Sequence, residues 1–214
     1  MRRRVCAFAA LLLAASPVYA APRTLAPIDQ CSADAGLPAF RQSLGRAVAR
    51  RDAPALKRLL AHDVLINFGG DKGWAAFSRQ WALDRPGKSA VWKELERILP
   101  LGCARVGKAR ILPSLAGQFN ADDDQDVFET MVVVERGAAL RAGAETDSPI
   151  VARLSWDVVT ALEAPDGDDV NKVRTGDGRE GWLKRSALRS PLDYRAVVEK
   201  QRGRWRITAF VAGD

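Results

Sequence analysis

The chain has 214 residues, 47% hydrophobic and 28% charged, a globular composition that excludes disorder and leaves room for one large domain or two small ones. Its formal charge at pH 7 is +7, but the Lys and Arg are scattered among acids. That pattern lacks the concentrated basic stripe with interleaved aromatics that a nucleic-acid partner needs, so none is expected.

Residues 1–20 read as an export signal. Arg2, Arg3 and Arg4 give a positive start, and Val5–Ala15 is an apolar stretch too short to span a bilayer alone. Val18-Tyr19-Ala20 is a small-x-small cleavage site, with the cut after Ala20. Cleavage leaves 30 Lys and Arg against 26 Asp and Glu, a formal charge of +4. Cys6 leaves with the signal. Cys31 and Cys103 remain, an even pair expected to form a disulfide in an oxidising compartment, periplasmic or extracellular. No later apolar run approaches membrane length, so no membrane span is expected after cleavage.

Residues 21–126 are expected to form a mainly helical N-terminal domain and connector. Leu37, Phe40, Leu44 and Val48 recur at spacings of three and four, one face of a helix. Asp52 then caps a second helix with Pro54 near its start and Leu56, Leu59 and Leu60 on its face. The string DVLINFGGDKG (63–73) breaks the period with a strand-like run and a glycine-rich turn. Trp74, Phe77 and Trp81 space as a third helix. Ser89 is the expected cap of a fourth, which carries Trp92, Leu95, Ile98 and Leu99 and stops at Pro100 and Gly102. Residues 101–126 are the expected connector.

From 127 the period changes to two, and short strands alternate with Gly, Asp and Pro clusters up to residue 190. Many short strands closely spaced predict a small barrel. In the tail, YRAVVEK and RWRITAFVA flank Gln201-Arg202-Gly203, which predicts a hairpin over 191–214 packed on the body of the protein.

Within 138–189 the motifs follow a recognisable order. Leu140-Arg141-Ala142-Gly143 opens it, the turn and strand ETDSPIVARL follow, then Lys172-Val173-Arg174, and Gly181-Trp182-Leu183 with the helical turn KRSAL closes it. This order resembles the bacterial SH3-like domain. Ala144 stands where that family commonly has Pro, and Val170 where it commonly has an aromatic. The whole chain, with its SPLDYRA…GRWRITAFVAGD ending, is similar to secreted proteobacterial SH3-domain-containing proteins of uncharacterised activity. That likeness implies no activity.

Motifs for catalysis are incomplete. ALDRPGKS (82–89) fits a permissive phosphate-loop pattern, but it follows a Trp-rich helical segment instead of a strand, and Pro86 removes one N–H. DDDQD (122–126) lacks the Gly and Glu of a calcium loop, whose places hold Val127 and Val133. His62, the sole histidine, is expected near the last carbonyls of the second helix and has too few partners for zinc. No metal and no cofactor are therefore expected, and no catalytic residue is assigned.

The expected architecture is α+β: a helical N-terminal half, a C-terminal SH3-like small β-barrel and a terminal hairpin. The alternative is a cone similar to nuclear-transport-factor-2-like proteins with the SH3-like barrel inserted, carried by the opening helices, DVLINFGG and the final GRWRI strand. A cone would enclose a pocket, and pairing of residues 64–68 with 205–210 would mark it. Ligand contacts are expected at Trp156, Trp182, Tyr194 and Arg141, since aromatic faces stack sugars and clasp peptides. The expected function is a non-catalytic exported binding or scaffold protein, periplasmic or secreted, that contacts peptidoglycan or an envelope protein. The alternative is a cell-wall-active hydrolase using carboxylates of the N-terminal half, with Glu94 and Asp71 as candidates.

Overall fold

A computed structural model describes residues 22–85, 87–119, 126–163 and 169–213. The export signal read at 1–20 lies outside them, as does most of the acidic run 122–126.

The helices form where the apolar spacing places them. Helix α1 (Leu37–Ala49) buries Leu37, Phe40, Leu44, Ala47 and Val48. Helix α2 (Ala53–Leu59) starts where the Asp52 carboxylate accepts the Ala55 N–H at 2.8 Å. Helices α3 (Gly73–Gln80) and α4 (Val91–Ile98) add Phe77, Val91, Leu95 and Ile98 to the same core. Ser89 does not cap α4. Ala90 holds the cap position, and the Ser89 hydroxyl is buried without a partner.

The N-terminal half is more than helical, which corrects the expectation. Strand β1 (Leu60–Leu65) runs straight out of α2, so His62 sits on a strand and not at a helix end. The stretch expected as connector holds β2 (Ala104–Val106), β3 (Ala109–Leu112) and the short helix α5 (Leu115–Gln118). Strands of three and four residues carry too few alternations to announce themselves by period.

These strands join the tail. With β11 (Arg195–Gln201) and β12 (Arg204–Val211) they form a five-stranded sheet in the order β1-β12-β11-β3-β2. Strand β1 lies parallel to β12, with Leu60 beside Ile207 and Leu65 beside Ala209. The tail hairpin turns through Arg202 (φ 50°) and Gly203 (φ 79°), both left-handed, as a two-residue hairpin loop requires. Trp205, Ile207 and Phe210 face the helices, while Arg204 and Arg206 face away.

Between β3 and β11 the chain builds a second sheet from β4 (Thr130–Val133), β5 (Ala138–Arg141), β6 (Ile150–Leu154), β7 (Val158–Glu163), β8 (Val170–Thr175), β9 (Glu180–Lys184) and β10 (Leu188–Arg189). Its order is β10-β4-β7-β8-β9-β5-β6. A flat sheet would hold β6 and β7 four strand spacings, about 19 Å, apart. Only four chain steps join Leu154 to Val158, at most about 14 Å. The sheet therefore curls steeply around Val133, Leu140, Leu154, Val173 and Leu183.

It does not close, and the expected barrel is corrected to an open curled sheet. The backbone of the β6–β7 turn is taken by a strap from the N-terminus: the Leu25 N–H donates to the Trp156 carbonyl at 2.8 Å, and the Val158 N–H to the Arg23 carbonyl at 2.8 Å. The strap then crosses to the first sheet. The Cys103 N–H donates to the Ile28 carbonyl, and the Cys31 and Cys103 sulfurs are at bonding distance with their Cα atoms 5.9 Å apart. Gly102 makes the crossing fit, since a Cβ there would stand 2.1 Å from the Ile28 oxygen.

Loss of residues 192–214 removes the two central strands of the first sheet. The truncated protein is expected to be insoluble, or soluble with a strong dye-binding molten signature and no near-ultraviolet circular dichroism. Trp205→Ala is expected to lower unfolding free energy by about 3–5 kcal/mol in urea titration, since its ring is buried and its indole N–H donates to the Ala35 carbonyl.

Candidate functional site

The space where a cone would hold its pocket is packed. Phe77, Trp81, Tyr194 and Phe210 form one aromatic cluster, with Trp81 to Tyr194 at 4.7 Å, Tyr194 to Phe210 at 5.3 Å and Trp81 to Phe210 at 5.4 Å between ring centroids. Tyr194, expected as a ligand contact, is half-buried in this cluster, and its hydroxyl is the acceptor for the Gln80 amide.

A buried arginine joins the two sheets beside it. Arg189 on β10 is 1% exposed. Its Nη2 donates to the Glu94 carboxylate on α4 at 2.8 Å and to the Tyr194 carbonyl, while Nη1 has no partner. Arg97, one turn along α4, donates to the Leu188 carbonyl at 3.1 Å. Glu94, a carboxylate considered for hydrolysis, is thus committed to an ion pair. Asp71 is bound to Asn67 within an exposed turn, accepting from the side-chain amide and donating its backbone N–H.

The other expected contacts lie apart from Tyr194. Trp182 on β9 stands directly between Arg141 on β5 and Lys172 on β8 in the strand register. Arg141 donates to the Ser148 carbonyl at 2.6 Å, and Lys172 reaches Glu163 and Glu180. Trp156 sits in the β6–β7 turn at φ 67°, a left-handed conformation that is rare for a bulky side chain and is held here by the strap. So the geometry gathers Arg141 and Trp182, and leaves Trp156 and Tyr194 elsewhere. Among the described residues, the metal-ligating group Asp29, Cys31 and Cys103 has its two sulfurs bonded to each other.

Charge is unevenly spread along the chain. Residues 22–119 and 191–214 carry 21 Lys and Arg against 11 Asp and Glu, whereas 120–190 carry 9 against 15. Three acids of the second sheet, Glu163, Asp177 and Glu180, pair with basic neighbours. Arg174 and Glu180 meet at 2.7 Å, and the Arg179 guanidinium with the Thr175 hydroxyl holds the Asp177 carboxyl down at about 2. The basic side instead places arginines with no acidic partner among the described residues around two open concavities. One, about 1000 Å³, is lined by His62, Asp63, Gln201, Arg202, Arg204 and Arg206. The other, about 350 Å³, lies between α1 and α2 and includes Arg46, Arg50 and Arg58. Sequence reasoning passed over the first groove. Its signal was the alternation Arg204-Trp205-Arg206-Ile207, which places two guanidiniums on the face opposite a buried Trp.

No family model matches the chain, and no curated protein matches it. Among solved structures it is similar to a crystal structure from Shewanella frigidimarina NCIMB 400, of a protein named by assignment a ketosteroid isomerase, at 10% identity, with 84% of this chain and 96% of that chain covered and a TM-score of 0.30. Likeness at that level bears on neither activity nor ligand.

Arg189→Met leaves Glu94 without its cation at a largely buried position. Breaking such a pair is expected to cost about 3 kcal/mol or more, while Arg189→Met with Glu94→Leu recovers much of that loss. Urea unfolding of the two variants checks both halves.

Proposed function

We propose that the protein is a non-catalytic exported binding protein of the cell envelope. It reaches the periplasm or the outside through the export signal read at 1–20. Its body is a nuclear-transport-factor-2-like cone, a reading supported by the parallel pairing of β1 with β12 across the helices. The curled second sheet is then an SH3-like insertion, in keeping with the motif order around Arg141 and Trp182.

The observation that carries the binding reading is the basic excess of the body. With 21 cationic residues against 11 acidic ones in 22–119 and 191–214, it attracts an anionic envelope polymer. The non-catalytic reading rests on the packing. Aromatic rings fill the space between α3 and the sheet, and the two carboxylates considered for hydrolysis are each engaged in structural bonds. Peptidoglycan with its attached envelope material is the expected partner.

Sedimentation with isolated sacculi tests this. The mature protein is expected to pellet at about 0.01 M salt and to stay in the supernatant at about 1 M, where screening is nearly complete. No soluble fragments should be released from the sacculi. Retention that ignores salt would remove the electrostatic basis. Steady release of fragments would make the protein a hydrolase.

A further inference from the structure

We infer that the groove between β1 and the β11–β12 hairpin binds a phosphate-bearing linear polyanion. The inference deepens the envelope-binding reading above and rests on it.

The groove is built by three features of the chain. The two-residue turn at Arg202-Gly203 carries Arg202 to the tip of the hairpin. Strand alternation then sets Arg204 and Arg206 on one face, about 7 Å apart at Cα. Parallel pairing brings β1 alongside, so His62 and Asp63 form the opposite wall. Trp205 anchors the face from behind. Its ring is buried, with the Arg110 and Lys200 cations 5.5 and 5.1 Å from the ring centroid, so the arginine-bearing strand sits on a fixed base.

Among the described residues, Arg202 and Arg204 have no acidic partner, and the Arg206 guanidinium donates only to the neighbouring Trp205 carbonyl, at 3.0 Å. The acids that face this cluster are Asp63 on the opposite wall and Glu199, which is cross-strand from Arg206. Three arginines therefore outweigh two carboxylates in the groove and its rim. Arg110 with Asp34 and Arg174 with Glu180, by contrast, are closely paired.

The choice of ligand follows from the donors and the shape. Guanidinium forks match phosphate oxygens two at a time, and a row of them suits anionic groups repeated along a chain. The lining takes in Gln201 and Arg202 at the turn, Arg204 and Arg206 of β12 and His62 and Asp63 of β1, and the concavity is open to solvent, so a chain of linked phosphates can reach all three arginines.

The test measures binding of the full mature chain to long-chain inorganic polyphosphate as a function of salt. The logarithm of affinity is expected to fall linearly with that of salt. Arg204→Ser with Arg206→Ser is expected to weaken binding at least about tenfold at low salt and to reduce the salt slope by about 2. Arg174→Ser on the second sheet should change neither. Both variants alter exposed or half-exposed side chains, and an unchanged melting temperature confirms that they fold. Equal affinity of the double variant and the parent overturns the groove, as does tighter binding to anionic phospholipid vesicles than to polyphosphate. If the double variant still pellets with sacculi in a salt-dependent manner, the groove is wrong and the envelope reading stands. If the parent binds neither sacculi nor polyphosphate, both fail.

Discussion

Arg189 is the group on which the arrangement of the two sheets depends. Its guanidinium is almost wholly removed from water, and a charge in that position persists only with counter-charge and acceptors around it. Glu94 supplies the charge from a helix of the body, and the Tyr194 carbonyl supplies an acceptor where the chain enters β11. One side chain on the last strand of the second sheet is thereby tied to both the helices and the hairpin of the first. An apolar residue there could pack as well, but it would not distinguish one docking angle from its neighbours. The fixed directions of these hydrogen bonds do.

The N-terminal strap makes the same connection from the other side. It lies against the β6–β7 turn, then runs to the disulfide and to Ser114, whose hydroxyl accepts the Ile28 N–H. Leu25 packs with Val132 and Val158, a small apolar cluster with Phe119 against it at the junction. The second sheet is therefore tied to the body twice, by an ion pair at its exit and by the strap on its β6–β7 turn.

Much of this was legible in the sequence where local chemistry decides structure. The periodic Leu and Phe of α1, the Asp52 cap and the Arg202-Gly203 turn all read correctly, because each is a short-range rule. The pairing of Cys31 with Cys103 followed from their being the two cysteines outside residues 1–20. Other features were hidden because they are long-range. Ala104–Val106 and Ala109–Leu112 look like linker until β11 lies beside them. The seven strands read as a closed barrel because nothing in their short runs shows that the edge strands β6 and β10 stay unpaired with each other. Glu94 looked available for chemistry because its partner lies 95 positions away.

Leu60 and Ile207, neighbours in the first sheet, are 147 positions apart in the chain. The helices bury their apolar faces on a sheet whose central strands are the last to be synthesised, so no stable intermediate core can form while the N-terminal half emerges alone. If residues 1–20 act as the export signal proposed above, the same delay keeps the chain threadable until its final strand has emerged.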